Sequence, residues 1–438
     1  MLYKYPKGSK KLIRSWAFYD WANSVYSLVI VSSIFPIFYG ALTLIKDSDG
    51  SVISNKVEFL GYSFKNDSLI SFVTAAAFIL VALFSPLLGG IADYLGNKKR
   101  FLQFFCFLGS ISCIGLFWFS LDNLLFGLFC YFLAIIGFWA SLVFYNSYLP
   151  EIAYKEQQDK ASALGFSLGY IGSVLLLILC LIMIEGHSWF GFKSAELPTR
   201  LSFVLTGIWW MGFSQITYRS LPVPKNKKKF HSSTLLKGYQ ELLKIWKALK
   251  ADIVLRRFLY AFFVYSMAVQ TIMLVATYFG LEEINWSQSN QTTGLIVSIL
   301  LIQLIAIVGA EIMARLALKY GNIRTLLGIN VLWILICIYA FTISTPTEFY
   351  FAAAGVGLVM GGIQSLSRST YSKLLPEQLV DTASYFSFYD VAEKVGVVLG
   401  MLIYGLVSQA MGSIRYAVLL FICFFIGGVI LLFRVPAK

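Results

Sequence analysis

The chain has 438 residues, of which 58% are hydrophobic and only 13% charged, and its mean hydropathy is +0.75. That leaves too little polar surface to solvate a soluble domain of this size, so the dominant solvent must be lipid. The net charge of +13 is accounted for by positively charged loops facing anionic headgroups, with no need of nucleic acid as a partner.

A hydrocarbon core of roughly 30 Å takes about 20 apolar residues per helix. Runs of that kind lie near 15–44, 68–92, 101–121, 124–148, 161–185 and 200–221, and again near 256–283, 292–318, 325–344, 348–374, 383–410 and 414–434. They predict an all-α integral membrane protein of twelve transmembrane helices. The first run is too long for a signal-peptide core, carries Asp20 and Asn23, and has no small-residue cleavage site, so it is expected to stay attached. Cys106, Cys113, Cys130, Cys180, Cys337 and Cys423 all fall inside apolar runs without CxxC spacing. They are expected to pack rather than bind metal. His187 and His231 fall in loops, so no cofactor is expected and any coupling proton would ride on carboxylates.

Of the 35 lysines and arginines, Lys46, Lys56, Lys65, Lys193, Arg200 and Arg415 fall in one set of alternate loops, and Arg368 and Lys394 fall within spans. The rest lie in the N-terminal arm, the other alternate loops and the tail. Positive charge is retained in the cytoplasm, so both termini are expected there, in a bacterial inner membrane, with a vacuolar membrane as the alternative. Possible glycosylation triplets open at Asn66, Asn285 and Asn290 but lie close to the membrane.

The one long polar segment joins the two sets of six. Within it Leu235, Leu236, Tyr239, Leu242, Leu243 and Trp246 recur at helical spacing opposite Lys237, Glu241, Lys244 and Lys247. This describes an amphipathic helix resting on the inner leaflet. The expected organisation is an N-terminal bundle over 1–221, a basic cytoplasmic linker over 222–255 and a C-terminal bundle over 256–438.

The two sets are related. DKASALGF from Asp159 matches DTASYFSF from Asp381, Leu149 to Glu151 matches Leu375 to Glu377, and Gly96 and Asn97 match Gly321 and Asn322, all at nearly one spacing. Three agreeing matches predict two pseudo-symmetric six-helix bundles, a transporter architecture.

The segment GGIADYLGNKKR, from Gly89, resembles the loop between helices two and three of the major facilitator superfamily. Tyr94 departs from that pattern, where a basic residue is usual after the acid. RSWAFYDWANSVYSLVIVSSIFPIFY, FYNSYLPEIA, SLGYIGS and GGIQSLSRSTYSKLLPE are similar to the vacuole-effluxer branch, relatives of autophagy-linked amino-acid exporters. The resemblance implies a secondary carrier, and gives Asp93, Gly96, Lys98, Lys99 and Arg100 the role of a latch between the halves; as plain residues they would be a positive-inside anchor.

Charged and polar groups inside spans are unlikely to face lipid. Asp20, Asn23, Ser24 and Ser27 share one face of the first span, which either lines a pathway or, at Asp20, anchors the helix near Arg14. In the tenth span Gln364 and Arg368 follow Gly357 and Gly361 on one face and offer donors to a carboxylate, unless Arg368 snorkels to the headgroups. In the eleventh, Asp390 and Lys394 can neutralise each other at i and i+4, leaving Glu393 in excess. A contact of Arg368 with Glu393 or Asp390 is therefore expected, in a gate or a proton-coupling network. Tyr145, Asn146 and Gln270 are further cavity candidates. Gly165, Gly169 and Ser173 are expected to form a helix contact.

With no HExxH, GxSxG or paired histidines, an enzyme is not expected. A receptor or scaffold would want a soluble domain. The expectation is a secondary active transporter working by alternating access on a small polar organic solute, amino acids first, with multidrug or sugar efflux as the alternative. Its partners would be the solute, a proton where transport is coupled, and membrane lipid; a monomer is assumed.

Overall fold

The computed structural model describes residues 4–43, 45–46, 52–54, 56–223, 234–286, 291–376, 381–411 and 414–436. Its first six long helices are α1 (Lys10–Thr43), α2 (Asn66–Leu95), α3 (Lys98–Trp118), α4 (Leu124–Asn146), α5 (Lys155–Glu185) and α6 (Glu196–Tyr218). After a connecting helix, Thr234–Ala251, come α7 (Ile253–Glu283), α8 (Gln291–Tyr320), α9 (Asn322–Thr342), α10 (Pro346–Leu374), α11 (Thr382–Met411) and α12 (Ile414–Phe433). Asn290, Glu377 and the side chain of Leu235 lie outside the described residues.

Eleven of these helices are long and apolar enough to cross a membrane. The remaining one, α6, has 23 residues, which at 1.5 Å each make about 34 Å, also enough. Its hydropathy is diluted by Trp209, Trp210, Ser214 and Gln215. It is nonetheless built into the bundle: Trp210 is fully buried, the Trp209 indole donates to the Trp21 carbonyl, and Thr217 donates to the Ser15 carbonyl.

Several helices begin a few residues before the apolar runs do, as at Lys98, Lys155 and Ile253. These first turns carry Lys, Arg and Gln, so they read as loop by composition while the backbone hydrogen bonds continue. Inside α1 the stretch Tyr26–Ile34 is π-helical. It precedes Pro36, which lacks an N–H and crowds the Ser32 carbonyl one turn back. Between α1 and α2 lie two short antiparallel hairpins that the helical reading does not anticipate: Ile45–Lys46 with Val52–Ser54, and Lys56–Phe59 with Tyr62–Lys65. In the second, Leu60 and Gly61 both have positive φ, 51° and 80°, which matches the twist of a tight hairpin.

The helices form two bundles with separate cores. One is built on Trp16, Tyr26, Phe35, Phe119 and Trp210, the other on Phe258, Tyr265, Trp333, Phe425 and Tyr371. Each reaches into the other bundle: Ala383 of α11 joins the first core and Tyr170 of α5 the second. The described termini share one end of the molecule. There the Gly8 amide donates to the Ile152 carbonyl, and Arg257, at the start of α7, donates to the Arg434 carbonyl after α12. At the opposite end Arg415 holds Glu283 and the Phe341 carbonyl.

The connecting helix crosses the terminal end. Gly238 packs so closely on α2 that a Cβ on Gly90 would stand 2.4 Å from its carbonyl oxygen. Further along, Ile245 and Leu249 are buried and Trp246 stacks on Phe388 of α11 at 5.5 Å. Much of the apolar stripe seen in the sequence lies elsewhere: Leu236, Tyr239, Leu243 and part of Trp246 remain exposed. The helix therefore has two apolar faces, one docked on protein and one free. Beside it, burial and the nearby Glu241 push the Asp381 carboxyl up from its ordinary pKa, against the opposing pull of Lys244.

Candidate functional site

A cavity of about 150 Å³ lies between the two bundles. The polar stripe of α1 faces it, so Asp20, Asn23, Ser24 and Ser27 are all at its wall. Asn146 of α4, Gln270 of α7, Gln364 and Arg368 of α10, and Glu393 of α11 join them. The remaining wall is largely apolar, with Trp139, Phe166, Tyr170, Phe262 and Tyr389 among its aromatic members. A buried polar cavity with rigid aromatic sides is the form small-molecule sites usually take.

At its floor Asp20 and Arg368 pair across the bundles, Nη1 to Oδ2 at 3.2 Å, with side chains 6% and 3% exposed. Several neighbours hold the pair in place. The Tyr145 hydroxyl donates to Asp20 Oδ2 at 2.8 Å. Arg368 donates from Nε to Ser162 Oγ and from Nη2 to the Ser162 carbonyl, each at 2.9 Å, and from Nη1 to Asn146 Oδ1 at 3.2 Å. Its guanidinium lies 4.2 Å from the Phe166 ring centre and 5.0 Å from that of Trp16. Gly165 makes room: a Cβ there would stand 2.3 Å from Asp20 Oδ2 and 2.9 Å from Arg368 Nη2.

These distances correct one expectation and close two alternatives. Arg368 does not approach Glu393 or Asp390, because Asp20 of the other bundle already supplies its counter-charge. Nor does it snorkel, being 3% exposed, and Asp20 is no surface anchor for the first helix. Position alone along α10 could not show which helix of the opposite bundle faces it.

The second network is on α11. The buried Lys394 ammonium sits 3.1 Å from Asp390 Oδ1, as their i, i+4 spacing requires, and 2.7 Å from Glu393 Oε2. It also lies 3.5 Å from the centre of the Trp139 ring, across the bundle boundary. Ser85 of α2 donates to Asp390 Oδ2 at 3.1 Å, and Gln270 donates to Glu393 Oε1. Of the three charged groups only Glu393 lines the cavity. With the groups ionised, Asp20 and Arg368 cancel, whereas two carboxylates on α11 share one lysine. The cavity is left one cation short.

Above the floor, Tyr170 donates to Gln364 Oε1 at 2.8 Å. Asn23, 1% exposed, has no partner for its side-chain Nδ2 among the described residues. Tyr145 stands behind Asp20 and does not line the cavity.

At the terminal end two polar clusters cross between the bundles. In one, Asp93 caps α11, accepting from the amides of Ala383 and Ser384 and from the Ser384 hydroxyl at 3.2, 2.7 and 2.7 Å. Gly96 ends α2 with φ +64°, and Lys98, buried, bonds Glu151 and also Thr382 Oγ1 at 2.6 Å. Lys99 beside it is half-buried, and the Arg100 side chain is exposed. In the other, Asp159 of α5 accepts from Lys373 and from Asn322 Nδ2, the latter at 2.7 Å. Lys373 also donates to Asn322 Oδ1 at 3.0 Å.

Ser85, Trp139, Ser162, Gly165, Tyr170, Glu151, Asp159, Asn322 and Lys373 were absent from the residues singled out as a site. A signal for some of them was present. Asp159 and Ser162 sit in the duplicated stretch at the positions of Asp381 and Ser384, and Asn322 matches Asn97.

The profile of the family described as "Vacuole effluxer Atg22 like" matches residues 8–438. The chain is 31% identical to the MFS-type transporter YxiO of Bacillus subtilis, over 97% of this chain and 94% of that one. Autophagy-related protein 22 of Kluyveromyces lactis is 25% identical over 96% of this chain and 92% of its own. Among solved structures, FucP in its outward conformation superposes with a TM-score of 0.67 at 13% identity, covering 98% and 99% of the two chains. The proton:xylose symporter XylE gives 0.67 at 13%, covering 97% and 95%. At that identity the likeness concerns the fold.

Proposed function

The chain belongs to the Atg22-like vacuole effluxers, a branch of the major facilitator transporters, and from that premise we propose that it carries amino acids across a membrane by alternating access. The observation that carries this reading is the unbalanced charge at the cavity. Glu393 shares the Lys394 ammonium with Asp390 and faces the open space, so the group that completes the balance is an ammonium. The Asn23 amide, without a partner among the described residues and on the α1 wall of the same cavity, supplies a donor for a carboxylate, and the aromatic sides suit an apolar side chain. A zwitterion with such a side chain meets all three. Arg368 is then a fixed element of the floor, its donors already engaged, rather than the group that seizes the substrate.

When the solute leaves, a proton can take the place of its ammonium at Glu393, which makes exchange of solute for proton the natural coupling. The clusters of Asp93 with Ser384 and of Asp159 with Lys373 hold the terminal end shut in this conformation. We take that end as cytoplasmic, following the positive charge of its loops, in a bacterial inner membrane. Rocking the bundles open there requires both clusters to part together.

The test is flux of a labelled amino-acid mixture in proteoliposomes, with and without a pH gradient. Wild type is expected to accumulate amino acids in response to the gradient. Glu393→Gln should keep the Gln270 contact, lose the dependence on the gradient, and favour solutes without an ammonium. Absence of any protein-dependent amino-acid flux, with flux of sugars instead, overturns the substrate assignment.

A further inference from the structure

Where the connecting helix meets α7 and α11, the surface holds a groove of about 410 Å³. Leu259 and Phe263 of α7 and Phe388, Val391, Ala392 and Val395 of α11 form its walls, and Trp246 and Leu249 of the connecting helix close its terminal end. Its charged lining consists of Lys250 and Arg256, at that same end. We propose that this groove is a binding site for one anionic phospholipid, with the phosphate at Lys250 and Arg256 and an acyl chain along the α7 and α11 walls.

The groove opens on the flank of two spanning helices, where Ile253, Tyr260 and Val395 are 52%, 60% and 38% exposed. Lipid is the solvent on that flank. From Arg256 to Phe263 the helix rises about 10 Å, the depth from headgroup level into the acyl region. The cations are placed rather than merely nearby. Lys250 Nζ is held 4.8 Å from the Trp246 ring centre, and Arg256 Nη1 donates to the Lys250 carbonyl at 2.8 Å, which leaves the rest of the guanidinium without a partner among the described residues. The nearest acid in sequence, Asp252, is occupied in capping α7, where it accepts from Val254 and Leu255 at 3.0 Å each. The charge and the apolar walls together select a phosphate that carries a chain, over a free anion or a zwitterionic lipid.

The groove also bears on transport. Phe388, Val391, Ala392 and Val395 are on one side of α11, while Asp390 and Lys394, on the other, reach Ser85 and Trp139 of the first bundle. A lipid in the groove props α11 against that bundle and favours the conformation described here.

Trp246 lines the groove and reports on it. The full chain, reconstituted in vesicles, is titrated with phosphatidylglycerol or phosphatidylcholine brominated on the acyl chains, and the quenching of Trp246 is taken as wild type minus Trp246→Phe. Phosphatidylglycerol should quench at a concentration on the order of tenfold lower, and the preference should vanish in Lys250→Ala/Arg256→Gln. Ala392→Trp, which fills the groove, should abolish quenching of Trp246 by either lipid; if that variant does not fold, the cation variant decides. Equal quenching by both lipids, a preference that survives loss of both cations, or displacement of the lipid by soluble glycerol phosphate overturns the proposal.

Discussion

Two charge networks touch the central cavity, and they are built on opposite plans. Asp20 and Arg368 come from different bundles, cancel each other, and are packed on all sides by Ser162, Tyr145, Asn146 and Phe166. Asp390, Glu393 and Lys394 come from one helix, do not cancel, and present the surplus carboxylate to the open space. A saturated ion pair can join two bodies but has nothing left to offer a solute. An unsaturated one holds its own helix weakly and keeps a charge for exchange. The division suggests a structural fulcrum at Asp20 and Arg368 and a working group at Glu393.

Substitutions can separate the two plans, and the expected effects descend in size. Arg368→Ala leaves Asp20 buried and unpaired, so unfolding in detergent and denaturant should show a loss of about 3–5 kcal/mol. Combining it with Asp20→Asn should recover part of that loss; if the double variant is no more stable than the single, the pair is not the fulcrum. Gly165→Ala forces a methyl group against Asp20 Oδ2, and should cost about 1–3 kcal/mol while slowing amino-acid flux. Undiminished flux and stability there would mean that the floor is looser than its distances imply. Glu393→Gln should cost about 1–2 kcal/mol, since it gives up the ion pair with Lys394 and makes the Gln270 bond neutral while Asp390 still neutralises Lys394, yet remove the response of flux to a pH gradient. A loss of stability as large as that of Arg368→Ala would place Glu393 in the structural class. The exposed i, i+4 pair of Arg315 and Glu311 serves as the floor of the scale: Arg315→Ala should change stability by no more than about 0.5 kcal/mol.

The same contrast explains what could be read in the sequence. Asp390 and Lys394 are one helical turn apart, so their pairing follows from local geometry. Arg368 finds its partner 348 residues away, and that choice depends on how two bundles abut, which no helical periodicity encodes. The helices themselves were legible because lipid demands long apolar runs. Their polar first turns were not, since a helix continues past the apolar region without any change of backbone. The α6 helix was legible as the run 200–221 even though tryptophan and hydroxyl side chains buried among other helices lower its mean hydropathy. The duplication was legible through DKASALGF and DTASYFSF, and those two stretches prove to carry Asp159 and Ser162 on one side and Ser384 on the other, the residues by which each bundle grips its neighbour.

The docking of the connecting helix has a practical side. Gly238 lies against α2 of the first bundle and Trp246 against α11 of the second, so the helix holds the bundles together by contact as well as by covalent continuity. A chain severed after Val223 would still carry that helix on its second fragment, with the surface it needs waiting on the first. The protein can thus be thought of as a two-part assembly with its own fastener, and a peptide break at that position becomes a handle for labelling or exchanging one bundle independently of the other.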